Sequence, residues 1–489
     1  MCLVVHPAVH TAEAISGGLI KADICVIGAG SAGLSVAAGA AQLGARTVLI
    51  ETDRMGGDCL NTGCVPSKSL LAAAKVAHTI RNANRYGIGR AELRVDFAAV
   101  HDYVHKVIGA IAPRDSAERF TALGCTVIKA RARFVDNRTI EAGGKLVRAR
   151  RFVIATGSRA AVPPIRGLDD LPYFTNETLF DNATLPEHLV VIGAGPIGCE
   201  MAQAHRRLGS AVTVLDLGRM LPRDDPDAVA VVRSSFAAEG IRLLENVKPV
   251  RFEKRAQRFA VLLAGDGEPA VEGSHLLIAT GRKPNVENLG LEAAGIRFDH
   301  RGIEVDARLR TSNRRIYAAG DVAGSYQFTH LANYHAGIVL RNALFRLPAH
   351  SDLRALSWVT YTDPELAQVG MSEAQARQSH GDNIRVLSAE FSDNDRAQTE
   401  NAIHGFIKVM VSRRGRVLGV TIVGRAAGEL ALPWALAISK GIGVGAFATT
   451  IVPYPTLSEI SKRVAGNFYA SRLFGRPTRA LVRLLGWLD

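Results

Sequence analysis

Cys59 and Cys64 stand five residues apart in MGGDCLNTGCVPSKSLLAAAKVAHTI, where a glycine-rich stretch gives way to a helical apolar pattern. Five residues of regular helix rise about 7.5 Å, beyond the roughly 7 Å between Cα atoms that a disulfide tolerates. A bridge here requires a distorted first turn, which Asn61 and Gly63 are suited to supply. A helix N-terminus stabilises a thiolate, so the pair reads as reactive thiol–disulfide chemistry and not as two inert buried thiols. The remaining cysteines, Cys2, Cys25, Cys125 and Cys199, lie far apart. Three fall in strand-like or fingerprint segments where packing is the default role, and Cys2 is a candidate reactive thiol near the start of the chain. None of the spacings is CxxC, so no metal site is expected.

A dithiol needs a source of electrons, and two glycine-rich turns supply places to hold one. ADICVIGAGSAGLSVAAGAAQLGARTVLIE reads as strand, turn, helix and second strand, with Gly28-x-Gly30-x-x-Gly33 at the turn and Glu51 closing it 23 residues after Gly28. Gly28 permits the tight turn, Gly30 admits a pyrophosphate to the backbone, and Gly33 lets the helix approach the strand. Glu51 is placed to accept hydrogen bonds from an adenosine ribose. The pattern returns in HLVVIGAGPIGCEMAQAHRRLGSAVTVLD as Gly193-x-Gly195-x-x-Gly198, closing on Asp216. Two such turns 165 residues apart imply an internal duplication holding two dinucleotides, as a flavin exchanging hydride with a nicotinamide would require. VIATGS, containing Thr156 and Gly157, and LLIATGRKPN, containing Gly281, echo one another at the end of each unit's sheet. A carboxylate at Asp216 hydrogen-bonds a free 2′-hydroxyl and repels a 2′-phosphate, which favours NAD(H) over NADP(H). Arg219 keeps the second open, since an arginine pairs with that phosphate.

The positioning elements therefore belong to an α/β protein, and bulk properties agree. A chain of 489 residues, 47% hydrophobic and 21% charged, is too long for one core and too apolar for disorder. The net charge of +13 comes from arginines spread among nearly as many acids, a solvated surface and not a nucleic-acid footprint. Six cysteines in such a length do not make a secreted disulfide scaffold, so a cytoplasmic setting is expected. Residues 1–20 lack the basic and apolar regions of a signal peptide and read as an N-terminal extension. The small-residue run after Lys21 contains Asp23, Gln42 and turn glycines, which excludes a membrane span.

GGDCLNTGCVPSK between two dinucleotide fingerprints resembles the class I pyridine nucleotide-disulfide oxidoreductases, the family of dihydrolipoamide dehydrogenase, glutathione reductase and mercuric reductase. The resemblance continues through RIYAAGDVAG, VTYTDPELAQVGMSE and YPTLSE, nearly the whole chain. It implies two Rossmann-like domains, for FAD and NAD(P), and a C-terminal mixed α/β dimerisation domain that completes the partner's site in a homodimer. The implied division is an FAD domain over 21–160 and 286–355, an NAD(P) domain over 161–285, an interface domain over 356–465 and a basic tail over 466–489. By resemblance, Cys64 is the thiolate beside the flavin and Cys59 the interchange thiol. Lys68 and Glu200 match an ion pair near flavin and nicotinamide, and Asp321 matches the acid for the ribityl chain. Ala132 and Thr329 fall on further FAD contacts, and Val247 and Gly281 on nicotinamide-nucleotide contacts.

The chain departs from the family at one place of chemical weight. Where lipoamide and glutathione reductases carry a histidine as general base, this sequence has Tyr454, with Glu459 five residues on. A phenol with a reference pKa near 10 is a poor substitute for an imidazole. Tyrosine at this position resembles mercuric reductase, yet the vicinal cysteines usual at the C-terminus of those enzymes and their N-terminal CxxC domain are not in this sequence. The expected activity is transfer of electrons from nicotinamide through FAD and Cys59–Cys64 to a disulfide or a thiol-bound metal. Dihydrolipoyl dehydrogenase and a membrane- or protein-docked electron-transfer flavoprotein are the alternatives. The last draws on RLFGRPTRALVRLLGWLD, where Arg479 and Arg483 lie one turn apart among leucines and a tryptophan. That composition fits either a helix packed on its own dimer or one at the surface of the inner membrane.

Overall fold

The computed structural model describes residues 14–15, 18–89, 92–265, 270–324 and 326–487. Cys2 and most of the N-terminal extension lie outside the described residues. The chain packs as two units. The first takes the described part of Met1–Gly193 with Arg207–Ala211 and Pro249–Ser351, and the second takes Ala194–Arg206, Val212–Lys248 and the described part of Asp352–Asp489.

In the first unit the strand β1 (Leu19–Ile27) leads through the first glycine-rich turn to helix α1 (Ser31–Gln42) and back to β2 (Thr47–Glu51). Helices α2 (Gly57–Asn61) and α3 (Cys64–Arg81) follow, then β3 (Cys125–Lys129) and β4 (Lys145–Ile154). Parallel pairing in the order β3, β2, β1, β4 is extended by β5 (Ile316–Ala318) on the far edge of β4. Both faces of such a sheet are covered, so its strands read as apolar runs; Ile24, Cys25, Val26, Val48 and Leu49 are fully buried. Alanines make the α1 face, and α1 packs against α4 (Thr329–Ala343) across Ala32, Val36, Ala40, Ala336 and Val339.

The second fingerprint also folds as strand, turn and helix: His188–Ile192, then Pro196–Leu208, then Ala211–Leu215. In the first unit His188–Ile192 pairs in parallel with His275–Ile278. In the second, Val214 and Leu215 pair in parallel with Leu243 and Leu244. The rest of that unit is built on a five-stranded antiparallel sheet, ordered Ser357–Thr360, Glu365–Gly370, Val417–Gly424, Phe406–Ser412 and Ile384–Glu390. Helices Ala427–Lys440 and Glu459–Leu473 cover it around Trp434, which is fully buried, stacks on Phe447 at 3.9 Å and donates to Ser461 Oγ. Lys408 crosses from that sheet to Asp225, Asp227 and Glu373 at 2.8, 2.7 and 3.3 Å. The Asp225 side chain also caps helix Pro226–Ala238, so one buried cation ties the sheet to a helix terminus.

Candidate active site

The three glycines of the first turn are demanded by different things. A Cβ on Gly28 would lie 2.3 Å from the Ala155 carbonyl oxygen, and one on Gly33 would overlap the Gly28 carbonyl. Gly30 is different: its φ of −86° suits any residue, and the nearest atom to an added Cβ is 3.9 Å away. Packing does not require glycine there, whereas close approach of a ligand to the first turn of α1 does. Gly193 and Gly195 repeat the contrast, with Ala279 O 2.4 Å from a Cβ on Gly193 and open space around Gly195. Glu51 and Asp216 hold equivalent posts. Glu51 accepts from the Ala29 N–H at 2.5 Å and the Asp53 N–H, and Asp216 accepts from Ala194 at 2.6 Å and Gly218. Each carboxylate thus fixes its own glycine-rich turn. Val247 donates its N–H to the Asp216 carbonyl.

The helix carrying the cysteines is broken between them. One short helix ends at Asn61, Thr62 and Gly63 leave helical geometry, and a new helix opens on Cys64. The expected distorted first turn is therefore a junction of two helices. Gly56 and Gly57, both at positive φ, bring the start of α2 against the first fingerprint: Gly56 donates to Ala29 O, and a Cβ on Gly57 would meet Gly30 Cα at 2.6 Å.

Cys59 and Cys64 are free thiols here, Cys59 half-buried and Cys64 open. Their ionisation is asymmetric. The hydrogen bond from Cys59 is the main force drawing the Cys64 pKa down to about 6, with help from the Thr329 hydroxyl and the Lys68 ammonium and against partial desolvation of the sulfur by its neighbours, although the residue as a whole is exposed. The same bond, with burial, pushes Cys59 up. Thr329, at the head of α4, sits with its Oγ1 3.3 Å from Cys64 Sγ.

A polar network behind the pair was not foreseen from sequence. Asp58 accepts from Thr62 Oγ1 at 2.8 Å and Asn176 Nδ2 at 3.0 Å, and lies 3.4 Å from the guanidinium of Arg282. Arg282 in turn donates to Ser158 Oγ and Ser158 O, and Ser158 Oγ donates to Asp321 at 2.5 Å. Burial raises the Asp321 carboxyl, against the pull of Ser158 and Arg282. Thr156 Oγ1 donates to Asn285 O, Asn285 donates back to Thr156 O and Gly157 O, and Gly157 and Gly281 have open space where a Cβ would stand. Ala132 is a core residue of strand Ala132–Phe134.

The remaining expected residues lie in the second unit. Glu200, on Pro196–Leu208, accepts from the Tyr361 N–H at 2.9 Å; Lys68, its expected partner, belongs to the first unit. Tyr454 is 70% exposed and donates to Asp395 Oδ2 at 2.8 Å. That bond and the Asp395 charge push the phenol further above its ordinary range. Glu459 opens helix Glu459–Leu473 and accepts weakly from the Thr456 N–H at 3.4 Å.

Comparison with known proteins fixes the family. The pyridine nucleotide-disulphide oxidoreductase model matches residues 22–336, and the dimerisation-domain model of the same family matches 356–465. The chain belongs to the class I pyridine nucleotide-disulfide oxidoreductases. This oxidoreductase is 35% identical to a mercuric reductase of Streptomyces lividans over 91% of this chain and 96% of that one. It is 36% identical to a dihydrolipoyl dehydrogenase of Thermus scotoductus over 89% and 95%. The Cu(II) complex of the HOCl-induced flavoprotein disulfide reductase RclA from Escherichia coli superposes with a TM-score of 0.82 at 27% identity, over 91% of this chain and 99% of that one. The expected α/β fold with dinucleotide-binding and dimerisation domains is thus the fold of the family, and the oxidoreductase is an FAD-dependent enzyme. The open backbone at Gly30 fits that cofactor.

Proposed function

We propose that the enzyme oxidises NADH and delivers the electron pair through Cys59 and Cys64 to a thiol-bound soft metal ion or a disulfide. Bound FAD supplies the hydride acceptor and two-electron relay. The chain's own part begins when the Cys59–Cys64 disulfide takes two electrons and one proton. The S–S bond breaks, Cys64 keeps the negative charge, and the proton resides on Cys59. Lys68, Thr329 and the Cys59 S–H hold that thiolate, while Cys59 is the thiol that engages the acceptor. The glycine-rich turn at Gly28–Gly33 with Glu51, and Asp321 with Ser158, Thr156, Gly157, Ala132 and Thr329, would hold FAD. The turn at Gly193–Gly198 with Glu200, Asp216, Val247 and Gly281 would hold the nicotinamide dinucleotide. The dimerisation domain supports a homodimer in which Tyr454 and Glu459 serve the partner's dithiol.

One observation carries the choice of acceptor: the Tyr454 hydroxyl is committed as a donor to Asp395, with its pKa raised. Dithiol exchange needs a base at that place, whereas delivery of electrons to a soft cation does not. Among the described residues no group of three His, Cys, Asp or Glu is placed to hold a metal ion, and the sulfur pair of Cys59 and Cys64 suits a soft ion. The 36% identity to a dihydrolipoyl dehydrogenase supports lipoamide as the second reading.

Steady-state NADH oxidation against Hg(II)-thiol complexes, Cu(II), lipoamide, glutathione disulfide and a quinone separates these readings. Turnover with a soft metal that Cys59→Ser abolishes supports the proposal. Lipoamide turnover exceeding it, or acceptor reduction that survives Cys59→Ser, overturns it. Tyr454→His is expected to raise lipoamide turnover.

A further inference from the structure

We propose that the helix Arg476–Leu485 is a peripheral anchor that lies in the interface of an anionic lipid bilayer. The helix separates its residues cleanly. Arg476, Arg479 and Arg483, at i, i+3 and i+7, share one side, while Leu481, Leu484 and Leu485 share the other. None of its residues is buried: Leu481, Leu484 and Leu485 are each more than half exposed, and Trp487 just beyond is 85% exposed. A soluble surface helix turns such a stripe toward a core, and this one does not.

The helix is held in place at its start. Gly475 precedes it, Pro477 occupies its first turn, where the missing N–H costs nothing, and Thr478 Oγ1 donates to Arg472 O at 2.7 Å. The apolar face is thus presented from the end of the preceding helix.

Charge identifies the occupant. From Ile460 to Leu488 the sequence has six lysines and arginines and no aspartate or glutamate. Among the described residues no acid pairs with Arg476, Arg479 or Arg483, which leaves this exposed basic side open to an anionic surface. Phospholipid headgroups offer it together with an apolar layer for the leucines, and tryptophan favours that boundary. A second copy of the chain offers the same basic segment, and the family's dimerisation model ends at residue 465, before the helix begins. No helix among the described residues is long and apolar enough to cross a membrane, so the contact is one of lying on the surface. The inference is independent of which acceptor the dithiol serves.

Flotation of the FAD-bound enzyme tests it, using vesicles of phosphatidylcholine alone and of phosphatidylcholine with about 30% phosphatidylglycerol. The wild type is expected to float with the anionic vesicles and about ten-fold less with the neutral ones. A chain ending at Gly475, the triple variant Leu481→Ser/Leu484→Ser/Leu485→Ser and the triple variant Arg476→Gln/Arg479→Gln/Arg483→Gln should each lose about ten-fold of the floated fraction. Flavin absorbance and NADH–ferricyanide turnover should stay unchanged, which separates loss of docking from loss of fold. Wild-type enzyme that stays with the soluble fraction, or a shortened chain that floats equally, overturns the proposal. So does a shortened chain that sediments as a monomer where the wild type is a dimer, which would assign the helix to a second copy.

Discussion

Cys64 Sγ lies 3.3 Å from Thr329 Oγ1, although 265 positions separate the two residues. The first residue of one helix is thereby set against the first residue of another. Both helix N-termini favour negative charge at the sulfur, adding to the hydrogen bond from Cys59 and the charge of Lys68. The reduced enzyme should therefore alkylate at Cys64 with a pH midpoint near 6, reactive above it and protected below. Since the Cys59 hydrogen bond is the largest cause, Cys59→Ala should move the midpoint up by more than one unit, and Thr329→Val by less in the same direction. A midpoint that Cys59→Ala leaves in place would mean that the two sulfurs do not share a proton.

Arg282 joins the cysteine loop to the Asp321 turn through Asp58 and Ser158. Only 11% of its side chain is exposed, so its removal leaves charged and polar partners without their donor. Arg282→Met should cost about 3 kcal/mol in urea unfolding and raise the Cys64 midpoint, because the Asp58 charge is then uncompensated. Asp58→Asn should shift the midpoint the other way, since the Asp58 charge opposes the thiolate. Opposite shifts in the two variants are the signature; shifts of one sign would show only a disturbed loop.

How far these features were legible in sequence depends on how local they are. The glycine-rich turns and their acids were readable because strand, turn, helix and acid follow one another within a single stretch. The break between Cys59 and Cys64 was half legible: the spacing demanded distortion and Gly63 marked it, but separate helices require Thr62 and Gly63 both to leave helical geometry. Asp58 with Arg282, and Tyr454 with Asp395, were not legible. Each joins residues from distant segments that only sheet pairing and helix packing bring together, and neither Arg282 nor Asp395 differs in type from the many other charges of the chain.

His335 is 2% exposed and accepts the Gly320 N–H at its Nδ1, which fixes the backbone just before Asp321. Burial lowers its pKa from the usual 6.5 to about 4. The folded protein thus keeps this imidazole neutral while the unfolded chain protonates it between those values. Its contribution is full above about pH 6.5, falls as the pH drops toward 4, and amounts to about 3 kcal/mol across that range. Urea unfolding at pH 7 and pH 5 should show a larger acid loss for the wild type than for His335→Gln. Equal losses would assign the acid sensitivity to other groups.

Asp216 bears on the choice of nicotinamide in a way that its fixed position makes testable. Its two oxygens accept from Ala194 and Gly218, so the carboxylate cannot swing away from a 2′-phosphate. Arg219, the residue that kept NADP open, acts on Glu245. Burial works to raise that carboxyl, but hydrogen bonds from Arg233 and the Met220 N–H, with the charges of Arg233 and Arg219, hold it below its ordinary range. The ratio of kcat/KM for NADH to that for NADPH should exceed about ten. Asp216→Ala removes both the repulsion and the brace on the turn, so both coenzymes should lose efficiency while the ratio collapses toward unity. A ratio that survives the substitution would place the discrimination elsewhere.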